Sequence, residues 1–391
     1  MIGNLKSLES LDLSTNKLSG GIPRSLDSLN SLGYLKLSFN KLSGLLPTGS
    51  HFRTFEDPAM FEGNNELCDD EGKNGSQGFS WFYADSIGTL SSLIEISLSG
   101  SHLSGSIPPS LGGLSSLTYL SLSDNQLNGG IPESIGLLTS LQYVFLCSNQ
   151  LYSNQLSGTI PTSIGQLLNL QELDFLGNKL NGSIPESIGL LTSLQMLFLD
   201  RNQLSGNIPS SIGQLSNLEV LSHPNNQLSG VVYEIHFIKL YNTTYLDLSG
   251  NSLITFNVSR HWIPPFQLRI FHASSCCNMG PQFPNWLQTQ THLTELHLRN
   301  SSIRESIPEW FHNISSHLYY LDLSDNEIGP EFPNIQTSTD LEYLDLSNSS
   351  IRDSIPGWFQ NISSHLRSLD LSDNEIHGNL PRIIANNNTD N

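Results

Sequence analysis

Positive charge is scarce in this sequence. Only 17 Lys and Arg stand against 36 Asp and Glu over 391 residues, a formal charge of −19. A polyanion would be repelled over most of such a surface, which makes nucleic acid and anionic membrane poor partners. Cysteine is scarcer still. Cys68, Cys147, Cys276 and Cys277 are too few and too unevenly spaced for a disulfide framework, and the adjacent pair is poorly placed to bridge itself. No apolar run approaches the roughly 20 residues that span a bilayer. Nor does a charged segment, apolar core and cleavage site open the chain, which begins "MIGNLKSLESLDLS". Signatures of chemistry are missing too. There is no HExxH, P-loop or kinase motif, and Ser, His and Asp are plentiful without a positioned base. "DDEGKNGSQGF" has the outline of a calcium loop, yet Lys73 stands at a ligand position and the closing bidentate Glu is absent. The sequence predicts no enzyme, no metal and no cofactor.

What is present is a period. "LESLDLSTNKLSGGIP" from Leu8 returns from Leu32, Leu117 and Leu194 in the frame LxxLxLxxNxLxGxIP. Asn16 and Asn40 lie 24 apart, as do Asn125 and Asn149, then Asn178, Asn202 and Asn226. Low charge with abundant Ser, Asn and Gly suggests disorder, but Leu and Ile at fixed spacing bury a continuous core once turns stack. The class is leucine-rich repeat, an α/β repeat solenoid with short parallel strands on a concave face and turns or short 3-10 segments outside. In each turn LxL supplies a strand with both leucines inward, Asn bonds backbone where the chain bends, and Gly-x-Ile-Pro turns the coil. Fourteen strands are expected near Leu8, Leu32, Leu93, Leu117, Leu141, Leu170, Leu194, Leu218, Thr243, Leu268, Leu293, Leu318, Leu341 and Leu366.

Several features break the period. "SNQLY" at 148–152 is duplicated at once as "SNQLS", which should bulge on the loop side. "SNSSIRDSIPGWFQNISSHL" echoes "RNSSIRESIPEWFHNISSHL" 48 residues earlier, two repeats copied together. Cys276 or Cys277 takes the Asn slot in a looser repeat. From Leu32 to Leu93 is 61 residues, no multiple of 24.

The LxGxIP variant resembles the plant leucine-rich repeat of receptor kinases and receptor-like proteins. "FNVSRHWIPPFQL", "PQFPNWLQTQTHLTELHL" and "SIPEWFHNISSHLYYLDLSDNEI" resemble interior repeats of the receptor-like subclass that includes fungal-xylanase receptors. The resemblance implies an extracellular, plasma-membrane sensor that binds a peptide, protein or glycan and signals in defence or development through a co-receptor kinase. "SLGYLKLSFNKLSGLLPTGSHFRTFEDPAMFEGNNELC" is similar to the last repeat and C-terminal cap of such receptors, but the second capping cysteine is missing. "DDEGKNGSQGFSWFY" resembles their acidic pre-membrane segment. Interior repeats resume at Asp85. The expected organisation is therefore two C-terminal-type repeats over 1–47, a degenerate cap and linker over 48–84, and twelve repeats over 85–391. The two pieces are not expected to stack as one coil. The break near Ala84, with ends that lie mid-repeat, points to a fusion of two tandem receptor genes or a mis-joined one.

Ligand contact is expected from outward strand positions that depart from plain "LDLS": Tyr143, Phe145, Glu172, Asp174, Phe198, Asp200, Arg201, His297 and Arg299. Aromatic and Arg side chains anchor peptides and glycans. The alternative is that these residues simply pack across strands on one another. The recurring Asp at 12, 247, 322, 345 and 370 reads as part of the repeat, with a negative stripe for a basic ligand as its functional alternative. Sequons stand at Asn74, Asn181, Asn242, Asn257, Asn300, Asn313, Asn348, Asn361 and Asn387, of which about six would arise by chance. Trp310 with Phe311, and Trp358 with Phe359, read as outer-side core. A non-catalytic recognition ectodomain is the expectation; a secreted inhibitor of the polygalacturonase-inhibiting type and a non-functional fragment are the alternatives.

Overall fold

The computed structural model describes residues 7–45 apart from 24, 27, 28 and 30; residues 60, 63, 64 and 66–68; 87, 88 and 90–147 apart from 102; 154–276; 278–335; 340–362; and 365–379. They fall into two compact units, one within Met1–Leu194 with Arg201–Gln203, the other within Gln195–Asp200 and Leu204–Asn391. Most of the 48–84 segment, the join at Ala84, the duplicated residues 148–153 and Cys277 lie outside the described residues.

One coil shows why the frame folds. Leu141, Val144, Leu146, Leu156, Ile160, Ile164 and Leu167 are all essentially inaccessible to solvent. Each such side chain is worth about 2 kcal/mol of burial. Tyr143–Phe145 is a three-residue strand whose middle side chain points in while the outer two are half-buried. Pro161, extended at φ −65°, opens the 3-10 segment Thr162–Gln166, and the amide of Ile164 bonds back to its carbonyl. A Cβ on Gly136 would lie 2.5 Å from the carbonyl oxygen of Ser163 in the following coil, so glycine is what lets the outer segments stack this closely.

All fourteen expected strands form, each opening two residues after the predicted start. In the first unit Ser10–Asp12 pairs in parallel with Tyr34–Lys36, and Glu95–Ser97, Tyr119–Ser121, Tyr143–Phe145 and Glu172–Asp174 follow one another in a parallel ladder. In the second, the ladder runs Met196–Phe198, Val220–Ser222, Tyr245–Asp247, Ile270–His272, Glu295–His297, Tyr320–Asp322, Tyr343–Asp345 and Ser368–Asp370.

A second parallel ladder was not expected. Ser104–Gly105, Gln126–Gly129, Gln155–Gly158 and Lys179–Gly182 pair in order in the first unit, and Gln203–Asn207, Gln227–Val232 and Leu253–Phe256 continue the pattern. The "QLSG" phrase, which the sequence reading left without a strand, is strand, because its exposed backbone groups find partners one coil away. On the outer side Phe311–Ser315 and Phe359–Ile362 are α-helical turns rather than 3-10, and Phe311 and Phe359 are buried as outer core.

Asparagine fastens the coils. Asn178 donates from Nδ2 to the carbonyls of Leu146 at 2.9 Å and Phe175 at 3.2 Å, while its Oδ1 accepts the amide of Leu156 at 3.1 Å. Asn64 makes the equivalent bonds to Leu37 and Leu42, so this ladder runs one coil beyond the two repeats expected over 1–47. At the duplication Asn154 accepts from Leu127 and donates to Leu122. Ser301 and Ser349 fill the slot with a hydroxyl that reaches the carbonyls of Ala273 and Leu323. Cys276 stands in the same slot, buried and disulfide-bonded.

Candidate ligand-recognition face

The first and third residues of each main strand point away from the coil interior, so in-register pairing places them in two rows. In the second unit one row is Ser222, Asp247, His272, His297, Asp322, Asp345 and Asp370; the other includes Tyr245, Ile270, Glu295, Tyr320 and Tyr343.

The recurring Asp is largely used by the repeat. Oδ1 of Asp322 accepts the amide of Ser324 at 3.0 Å and its hydroxyl at 2.6 Å, and Asp12, Asp345 and Asp370 each hold the Ser two residues on in the same way. Asp247 accepts the amide of Ser249. Burial pushes Asp322 above the usual carboxylate range, more than its serine bonds pull it down. Burial pushes Asp247 up too, but His272 and Ser249 together outweigh it and hold it below that range.

Between these carboxylates lies a run of rings. The His297 ring stacks on Tyr320 with centroids 4.2 Å apart and planes at 9°, and Tyr320 stacks on Tyr343 at 5.3 Å. His272 lies 4.0 Å from His297 and meets Tyr245 edge-on at 5.8 Å. Burial, then the neighbouring His272, lowers the His297 pKa to about 4, so its ring is neutral at pH 7 and its approach to Glu295 is not an ion pair there. Burial and Asp247 push the Tyr245 phenol up to about 12.

The residues expected to touch ligand fall in different places. Tyr143, Phe145, Glu172 and Asp174 come together on adjacent strands of the first unit, where Tyr119 packs against Tyr143 and Phe145 at 6.1 and 5.5 Å. Tyr143 donates to Gln171 at 2.9 Å. Burial raises the pKa of both Glu172 and Asp174, and each of the two also has a nearby carboxylate as a lesser cause, Asp174 and Asp124 respectively. Phe198 is half-buried on its strand; Asp200 is buried and accepts the Ser222 hydroxyl at 2.6 Å. Arg201 is exposed at a left-handed turn residue, φ 51°, off the strand. Arg299 is engaged in an ion pair with Asp325 at 2.8 Å. Of the sequons, Asn181, Asn242, Asn257, Asn300, Asn313 and Asn348 are exposed; Asn74, Asn387 and the side chain of Asn361 lie outside what is described.

Sequence reasoning missed Tyr245, His272, Glu295, Tyr320 and Tyr343. "RIFHAS" departs from "LDLS" as visibly as "HLRN" does, and His272 was within reach of the same test. Tyrosine was hidden by its regularity in "YLDLS". An open groove of about 970 Å³ also lies ahead of the strands, lined among others by Tyr241, Gln267, Arg269, His292 and His317.

The family model described as Leucine Rich Repeat matches residues 7–29, 92–114, 116–138, 169–191, 193–215, 292–314 and 340–362, and a second, also described as Leucine Rich repeat, matches 315–331 and 363–379. The chain is a leucine-rich-repeat protein. Its similarity to plant receptor-like proteins is direct: it is 44% identical over 97 residues to Receptor-like protein EIX2 of Solanum lycopersicum, and 36% identical over 83 residues to Receptor-like protein 53 of Arabidopsis thaliana. Those alignments cover 25% and 21% of this chain but only 9% and 8% of the relatives, so this leucine-rich-repeat chain matches under a tenth of their length. Among solved structures, the plant peptide hormone receptor RGFR1 in complex with RGF2 superposes with a TM-score of 0.68 at 27% identity, over 96% of this chain and 61% of that one. The Arabidopsis receptor kinase HAESA, in complex with the peptide hormone IDA and the co-receptor SERK1, gives 0.54 at 25% identity over 97% and 64%.

Proposed function

We propose that this chain is part of a non-catalytic recognition ectodomain on the outer side of the plant plasma membrane, and that it binds a basic peptide or protein segment on the strand face of its second unit. The stacked run from Tyr245 through His272, His297 and Tyr320 to Tyr343 carries the reading. Rigid rings offer contact area at little entropic cost, and the flanking carboxylates favour Lys or Arg in the ligand. Two kinds of neighbour lend support: receptor-like proteins by sequence, and hormone receptors solved with peptides by structure. Signalling through a co-receptor kinase follows by analogy with the same neighbours.

Titration of the chain with fluorescent cationic peptides containing an aromatic residue tests this. Saturable binding that weakens with salt and loses at least about tenfold in Tyr320→Ala and Tyr343→Ala is the expected result. Saturable binding that both substitutions leave unchanged would place the ligand elsewhere, and no binding across the panel would end the basic-peptide reading.

A further inference from the structure

We propose that His272, Glu295 and His297 form a binding site for a divalent transition-metal ion of the zinc class. This goes beyond ligand recognition and does not depend on it. The three side chains come from two adjacent strands, Ile270–His272 and Glu295–His297, with His272 directly opposite His297 and Glu295 two residues before it. Nε2 of His272 lies 3.6 Å from Oε2 of Glu295, and Nε2 of His297 lies 4.0 Å from the same oxygen. One donor atom from each residue falls within 4.8 Å of the others.

Those separations suit a shared ion. With metal bonds of about 2.0–2.1 Å, the edges of a tetrahedral site are about 3.3 Å, so the two histidine–Glu295 separations need close by less than about 1 Å and no pair by more than about 1.5 Å. The donor atoms also want a partner. Nε2 of His272 and Nε2 of His297 are both shielded from solvent and neither makes a hydrogen bond. A buried ring nitrogen left in that state costs free energy that a metal bond would recover.

The surroundings orient the ligands. Oδ2 of Asp247 lies 3.5 Å from Nδ1 of His272, placed to hold the proton there and leave the Nε2 lone pair for the ion, the carboxylate–histidine–metal arrangement. Asp247 is itself fixed by the amide of Ser249 at 2.9 Å. The His297 ring is set by its stack on Tyr320. Two imidazoles and one carboxylate suit zinc, copper or nickel better than calcium or magnesium, which take oxygen ligands. Three protein donors leave a fourth tetrahedral position for water or for a donor atom from a bound ligand.

The chain, stripped with chelator, is titrated with zinc chloride at neutral pH by calorimetry, and cobalt(II) supplies a visible-absorption readout of tetrahedral ligation. One zinc per chain is expected, with affinity on the order of micromolar or tighter and no competition from magnesium. His272→Ala, His297→Ala and Glu295→Gln should each weaken it at least about tenfold and abolish the cobalt bands, while His292→Ala, an exposed histidine outside the cluster, should not. Absence of saturable zinc binding overturns the proposal, as does unchanged binding in the three variants. If a histidine variant fails to fold by circular dichroism, Glu295→Gln decides alone: it keeps the volume of the side chain, and unchanged affinity and cobalt spectrum in it overturn the site.

Discussion

The amide of His223 donates to the carbonyl of Asp247 at 3.1 Å and draws the imidazole into the coil, where it fills the place that Leu199 and Leu248 hold in neighbouring coils. Both ring nitrogens are buried without a hydrogen bond. Burial lowers the His223 pKa to about 4, against a smaller opposing pull from Asp247. The folded pKa lies below the unfolded one, so the unfolded chain binds the proton first. Stability should be full above about pH 6.5 and decline as pH falls toward 4, by up to about 3 kcal/mol from this residue. His223→Leu removes two unsatisfied nitrogens and should stabilise the protein by about 1–3 kcal/mol at neutral pH. Its advantage should grow by about 2 kcal/mol on going to about pH 5. Urea midpoints of both proteins at the two pH values measure this; a constant difference would contradict it.

Removing one rung of the asparagine ladder should be costly. Asn178→Ala leaves the amide of Leu156 without its side-chain partner in the interior and the carbonyl of Leu146 with only the longer 3.3 Å bond from Asn154, and should cost about 2 kcal/mol. Asn178→Ser should cost less, since Ser301 and Ser349 occupy the equivalent slot. Equal losses in chemical denaturation would show that the hydroxyl does not substitute.

Cys147 is a free thiol that should react slowly. Burial pushes its pKa up to about 12, and the carboxylates of Asp174 and Asp124 push in the same direction, against a bond with Ser123 at 3.1 Å. Iodoacetamide should label it about a thousandfold more slowly in the folded protein than in urea at mildly alkaline pH. Asp174→Asn should speed labelling by withdrawing a negative charge. Peptide mass spectrometry resolves this cysteine from the others.

The register failure between Leu32 and Leu93 supports the proposal that the residues on either side of Ala84 come from two receptor genes. Long cDNA reads across that codon test it. One continuous transcript would support a real fusion, whereas two separate transcripts would sink it.

The main strands were legible because each coil repeats the same inward leucines; Leu141, Val144 and Leu146 announce their strand whatever lies between them. The second ladder was not, since Gln155–Gly158 carries only one buried apolar residue and owes its strand character to backbone partners one coil away. The candidate site was half legible. His297 stands out in "HLRN", but its neighbours His272 and Asp247 are 25 and 50 residues earlier, and only the pairing register makes them adjacent. Arg299 looked available in the sequence and is engaged by Asp325, an ion pair that residue type alone does not reveal.

Asn154 seats where the regular spacing from Asn125 points to Asn149, and that exchange says how such an array can grow. Each asparagine bonds carbonyls of its own coil and of the coil before, and Asn154 does so with eight positions between it and Leu146 where Asn125 has three to Leu122. A short stuttered copy is absorbed because its second asparagine inherits the post of the first, and a 48-residue copy is absorbed because it brings complete fastenings of its own. The ladder thus accommodates both duplications because each ends on a side chain that takes the seat, and leaves the outward rows free to diverge while the coil beneath them stays in step.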